Sequence, residues 1–94
     1  KVLFPPADKL REYAGRFQLA PNVLIEVEAR GATLGAKLTG QAMYPVHNDA
    51  PDHFVYDVVE AALAFERDTD GKVVAVVLQQ NGNQRAPRLA PETK

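Results

Sequence analysis

Residues 64–82 read AFERDTDGKVVAVVLQQNG, and their layout decides the fold. A segment of mixed apolar and charged residues runs into Asp68-Thr69-Asp70-Gly71, where Gly or Asp takes the left-handed conformation that a tight hairpin needs. Residues 73–80 follow, apolar on both faces at their start and rich in β-branched Val, whose stiff side chains favour a strand over a helix. Asn81-Gly82 is the strongest two-residue hairpin signal in the chain, and residues 83–89 form the closing strand. The stretch reads as consecutive hairpins first and as a working site second.

Alternation of period two extends upstream. Residues 13–19 (YAGRFQL) put Tyr13, Gly15, Phe17 and Leu19 on one side and Arg16 and Gln18 on the other. After a Pro21-Asn22 turn, residues 23–30 (VLIEVEAR) point Val23, Ile25, Val27 and Ala29 inward and Glu26, Glu28 and Arg30 outward, with Leu24 as the exception. Gly31 turns the chain into residues 33–38, with Leu34, Ala36 and Leu38 inward, and Thr39-Gly40 turns it again. Residues 42–46 (AMYPV) predict a short strand whose Pro45 cannot donate to a ladder. Residues 47–52 (HNDAPD) are the most polar stretch and predict a loop. Residues 53–58 then place Phe54, Tyr56 and Val58 on one face, and residues 62–67 add Leu63 and Phe65 to the core. Ahead of all these, residues 4–13 (FPPADKLREY) carry paired prolines and a Leu10/Tyr13 pair, which suits a short helical turn.

The pattern predicts an all-β domain: a small antiparallel eight-stranded barrel with a short N-terminal helical turn. Hairpins between sequence neighbours favour an up-and-down barrel over a sandwich, and closure removes the exposed edges that invite aggregation. An eight-stranded barrel fills itself with side chains or holds one small ligand, and strands this short favour a filled interior.

Ninety-four residues fit a single domain, 1–94. Apolar residues make up 46% and charged residues 24%, with a net charge of −1, which is an ordinary globular balance. Eleven Lys and Arg scattered opposite twelve Asp and Glu leave no basic cluster to displace counterions, so nucleic acid is excluded as a partner. The longest apolar run, residues 73–78, falls far short of the roughly 20 residues of a membrane-spanning helix, so no membrane span is expected. The start does not resemble a signal peptide, and because it is Lys1 rather than Met the chain is expected to be either processed or excised from something longer. Cysteine is absent, which excludes disulfides and thiolate sites and suits an oxidising compartment.

Chemistry-bearing residues are sparse. Without Ser or Cys, a covalent nucleophile would fall to Thr33, Thr39, Thr69 or Thr93, none of them next in sequence to a His. His47, Asp49, Asp52 and His53 are the candidate metal ligands. Their spacing matches no standard signature, and turn-forming Asn, Asp and Pro account for the same residues, so a solvated loop with no metal or other cofactor is expected. Glu26 and Glu28 would lie roughly 6–7 Å apart on one strand face, but a catalytic pair also needs a cleft to perturb it, and Arg30 and Lys37 are at hand. Tyr44, Phe54, Tyr56, Gln80 and Asn81 are the candidates for a ligand or interface site; an inward Gln80 amide would need hydrogen-bond partners.

The series LREYAGRF, MYPV, a later Phe, LAFERDTDGKVVAVVLQQNG and APRL resembles the lipocalin-like C-terminal domain of unknown function attached to β-lactamase-related, or penicillin-binding-protein-like, serine hydrolases. Tyr13, Gly15, Phe17, Pro45, Phe54, Phe65, Arg67, Asp68, Gly71, Lys72, Val73, Gln80, Asn81 and Gly82 carry the resemblance, with Met43 where Leu is usual. It implies a bacterial, periplasmic or extracellular protein in which a non-catalytic barrel packs on, or positions substrate for, the catalytic domain of the same polypeptide. The Ser-x-x-Lys and Tyr-x-Asn elements of such hydrolases belong to the preceding domain and are not found in this chain. A free-standing barrel that binds a small apolar ligand is the alternative.

Overall fold

The computed structural model describes residues 3–90. Its strands are β1 (Gly15–Ala20), β2 (Val23–Arg30), β3 (Thr33–Leu38), β4 (Tyr44–Ala50), β5 (His53–Tyr56), β6 (Ala62–Arg67), β7 (Val73–Gln79) and β8 (Asn83–Pro87). They pair antiparallel, each with its sequence neighbour, in one eight-stranded sheet that curls into a nearly closed barrel. A single short helix, α1 (Ala7–Leu10), precedes them and runs into a 3₁₀ turn at Arg11–Tyr13. Among the described residues, no helix is long and apolar enough to cross a membrane.

The two hairpins of the opening stretch form as its turn residues require. Gly71 sits at φ 83° and donates to the Asp68 carbonyl at 3.0 Å, while the Asp68 side chain accepts from the backbone N–H groups of Asp70 and Lys72. At the next turn Asn81 takes φ 54° and Gly82 φ 119°, a pairing of residue types suited to positive φ.

Three local expectations are corrected. Residues 47–50 are not a loop but the second half of β4, paired with β5 through His47↔Val55 and Asn48↔Phe54. Turn-prone composition lost to alternation here, because Val46 and Asn48 both point into the barrel and the reversal is confined to Pro51 and Asp52, the latter at φ 59°. The buried Asn48 amide is satisfied at that turn, donating to the carbonyls of Ala50 at 2.7 Å and His53 at 2.8 Å. Second, β5 stops at Tyr56, and Val58 lies in an exposed connection instead of on the inner face. Third, Tyr13 ends the 3₁₀ turn ahead of β1, though its ring is buried as the alternation implied.

Closure brings β8 back to β1. Arg88 bridges Phe17, and the Leu89 N–H donates to the Arg16 carbonyl at 2.8 Å. Register shifts at Gln18/Ala20, Asn48/Ala50 and Glu66/Arg67 add the local twist and bend that let so short a sheet meet itself. The Arg88 guanidinium spans the seam, donating to the carbonyls of Val73 at 2.9 Å, Glu12 at 3.3 Å and Ala14, and stacking over the Phe17 ring with 5.5 Å to its centroid. Gly15 makes room for it, since a Cβ there would meet the guanidinium at 3.0 Å.

Arg88→Ala should therefore destabilise the chain by about 2–4 kcal/mol, because three carbonyls lose a charged donor and the seam loses a stacked plane. Urea unfolding with amide exchange at Leu89 measures it; a loss below about 0.5 kcal/mol, the usual size for a surface change, would show that the strands close without the guanidinium.

Candidate functional site

The two ends of the barrel differ. At one, α1 and the 3₁₀ turn lay Leu10 and Tyr13 across the opening. The Tyr13 ring meets Phe54 edge-on at 5.0 Å and Phe65 at 4.7 Å, and Phe17 and Phe65 continue the cluster inward. The Tyr13 hydroxyl donates to Asp52 Oδ1 at 2.7 Å, the same oxygen that accepts from Arg67 Nε at 2.9 Å. Arg67 Nη1 reaches Glu12 at 2.9 Å and the Gly71 carbonyl at 2.6 Å. Burial pushes the Asp52 carboxyl up, but the hydrogen bonds from Tyr13 and Arg67 outweigh it and hold the group below its ordinary value. Burial and the neighbouring carboxylate raise the Tyr13 phenol.

The other end is open. A cup of about 330 Å³ is walled by Ala36, Leu38, Gln41, Tyr44, Tyr56, Val59, Ala61, Leu78 and Gln80. The expected filled interior thus holds only for the stoppered half. Beyond β5, the Tyr56 N–H donates to the Ala61 carbonyl at 3.0 Å, which folds residues 57–60 into a rim over the cup. Tyr56 is only 6% exposed, and its hydroxyl has no hydrogen-bond partner among the described residues. Burial raises the pKa of this phenol, so it remains a protonated donor at neutral pH. No wall residue carries a charge.

Of the five ligand or interface candidates, three meet here: Tyr44, Tyr56 and Gln80. Phe54, 1% exposed, belongs to the aromatic cluster, and Asn81 makes the β7–β8 turn. Gln41, Val59 and Ala61 were missed. Gln41 and Val59 lie between strands where no periodicity assigns a face, whereas Ala61 would have followed from continuing the Leu63 and Phe65 alternation one step back.

The candidate metal ligands are drawn into separate pairs. His47 Nδ1 is paired with Asp57, on the outside of the barrel, and His53 Nδ1 lies 2.6 Å from Asp49 with its Nε2 2.9 Å from Gln79 Oε1. Asp52 serves the stopper. Among the described residues no group of three or more His, Cys, Asp or Glu could hold a metal ion. Glu28 pairs with Arg30 at 2.8 Å, and Glu26 faces Lys37 across the β2–β3 ladder. Thr39 accepts from the Leu24 N–H and Thr33 donates to the Arg30 carbonyl, Thr69 is exposed in the β6–β7 turn, and Thr93 lies outside the described residues.

A family model described as a domain of unknown function, DUF3471, matches residues 2–91. The chain belongs to the DUF3471 family. No curated protein matches it. In this DUF3471 barrel the residues that hold the scaffold, Tyr13, Arg67 and Arg88, lie apart from those that wall the cup.

His53 gives the barrel a pH-dependent clasp between β5 and β7. Only the imidazolium donates to both Asp49 and Gln79, and these bonds, Asp49 first, outweigh burial and raise the pKa above 6.5. A raised folded-state value means that the contribution is complete below the unfolded value and is lost as pH rises through the folded one. His53→Gln should cost about 1 kcal/mol at about pH 5.5, discounted for partial exposure, and less at about pH 8.5. Unfolding free energies of both proteins at both pH values check this, and an equal gap at the two would refute a charged clasp.

Proposed function

We propose that this DUF3471 domain is a non-catalytic accessory barrel of a β-lactamase-related serine hydrolase, with its cup end turned toward the catalytic domain of the same polypeptide. The observation that carries this reading is the asymmetry of the barrel. One end is stoppered, while the rim of the other exposes two adjacent valines, Val58 at 59% and Val59 at 41%. Apolar side chains presented at a rim beside a concave surface suit contact with another domain better than contact with water. The absence of Ser from the chain and the resemblance of its Tyr13-x-Gly15-x-Phe17 and Phe65-to-Gly82 segments to such accessory domains support the same reading. The partner domain would supply the nucleophile, and the barrel would hold or orient the part of the substrate that is not cleaved.

A specific observation also favours the second reading, a free-standing ligand binder. The cup, at about 330 Å³, is within the size range of small-molecule sites.

The natural polypeptide that carries residues 1–94 decides between them. A fluorophosphonate reagent should label one serine outside these residues, and Val58→Asp combined with Val59→Asp should lower kcat/KM for ester hydrolysis roughly tenfold, since two charges would be buried or driven off at the contact. A polypeptide without a labelled serine refutes the accessory reading and leaves the free-standing binder. Labelling with unchanged kinetics in the double variant would place the contact elsewhere and sink the assigned orientation.

A further inference from the structure

We propose that the cup binds an uncharged small molecule that joins an apolar body to a hydrogen-bond-accepting carbonyl, a carboxamide or N-acyl group in its simplest form, with the Tyr56 hydroxyl as the donor that selects it. The inference rests on the cup being the functional end of the barrel, as in the reading above, but it names the chemistry of the occupant and does not depend on which domain delivers it.

Three features of the walls converge on this class. First, the walls hold no charged side chain, so an ionic ligand would lose its water with no opposite charge to replace it. Second, Leu38, Leu78, Ala36 and Ala61 line the cup with aliphatic surface, which accepts an apolar body. Third, Tyr56 is one of the wall residues, and its buried hydroxyl has no acceptor among the described residues. A phenol is above all a donor, and a purely apolar ligand would leave it as unsatisfied as before. The hydroxyl has almost no surface open to water, so the proposal requires the ring to turn toward the cup for the acceptor to reach it. The side-chain amides of Gln41 and Gln80, which make no hydrogen bond of their own among the described residues, can meet the remaining edge of an amide ligand with both a donor and an acceptor. At the stoppered end the Tyr13 hydroxyl and Asp52 Oδ1 are already engaged, and the unpartnered Arg67 Nη2 belongs to a charged group, so that end does not offer the same neutral set.

The test uses acetanilide, a neutral aromatic amide, against benzoate and benzylammonium, which are similar in size and carry a charge of either sign. Titration of the isotopically labelled chain, followed by ¹⁵N–¹H NMR, should show acetanilide shifting the backbone amides of Leu38 and Ala61 and the side-chain amides of Gln41 and Gln80, with a Kd on the order of 1 mM for a ligand of about ten non-hydrogen atoms. The two ions should shift none of them. Tyr56→Phe removes only the oxygen; it should weaken acetanilide about fivefold, the worth of one neutral hydrogen bond, while its melting temperature stays the same or rises. Equal binding of either ion, undiminished binding by the Phe variant, or a lowered melting temperature of that variant would each overturn the proposal, the last by showing the hydroxyl to be structural. The outcome is separable from the accessory reading: shifts without a labelled serine in the natural polypeptide sink only that reading, and a labelled serine without shifts sinks only the ligand class.

Discussion

Tyr13 lays its ring against Phe54 and Phe65 while its hydroxyl donates to Asp52, and that contact fixes which end of the barrel is shut. Four parts of the chain meet there: the 3₁₀ turn, the β4–β5 reversal, the end of β6 and the β6–β7 turn, the last held through the Arg67 bond to the Gly71 carbonyl. Burial dominates the energetics. Removing a ring of this size from water stabilises by about 1.5–3 kcal/mol, and each aromatic contact adds about 0.5–1.5 kcal/mol. The half-exposed Arg67–Glu12 pair, by contrast, belongs to a class worth about 0–1 kcal/mol. Asp52 is best understood as the group that lets a phenol and a guanidinium be buried together, since its one oxygen accepts from both.

With one end shut, the space at the other follows from side-chain size. Phe17, Phe54 and Phe65 fill the stoppered half, whereas Ala36 and Ala61 supply two of the inward positions on the open side. An eight-stranded barrel has so little interior that exchanging large residues for small ones at a few positions separates a solid core from a cup. The fold thereby divides its labour along its axis. Closure depends on Arg88 and the stopper, both remote from the cup walls, so the cup can differ in chemistry without disturbing what keeps the strands together.

Much of this was legible in the chain. Positive-φ turn residues at Gly71 and Asn81-Gly82 and alternation in β2 and β3 specify strands, order and inner face, because each rests on local geometry. The polar run from His47 to Asp52 misled because composition describes what residues prefer in isolation, and the preference for a loop was overridden by pairing with β5. The barrel could extend through it since Asn48, facing inward, found two carbonyl acceptors at the turn. Most of the residues that carry the family resemblance, Gln80 excepted, are scaffold: Tyr13 stoppers, Gly15 admits Arg88, Arg67 clamps, and Asp68 and Gly71 make a turn. For that reason the resemblance spoke clearly about fold and little about the cup, whose walls Leu38, Tyr44, Tyr56 and Gln80 come from four different parts of the chain and share a surface only after closure.

The Tyr56 hydroxyl is one of two buried side-chain polar atoms that have no partner among the described residues, and the one that belongs to a cup wall. Other polar groups in the barrel are matched, Asn48 by two carbonyls, Asp52 by Tyr13 and Arg67, and His53 by Asp49 and Gln79, while Arg67 Nη2 shares the lack of a partner. An unmatched buried hydroxyl costs about 1–3 kcal/mol, a sizeable share of the 5–15 kcal/mol that a domain commonly has. Phe would fill the same volume without that cost, as Phe54 does two residues earlier on the same face of β5. Of the two buried side-chain atoms left without a partner among the described residues, Arg67 Nη2 belongs to a guanidinium already held through its other nitrogens, whereas the Tyr56 hydroxyl belongs to a residue that walls an uncharged cup, where a ligand, and not the fold, would complete the bond.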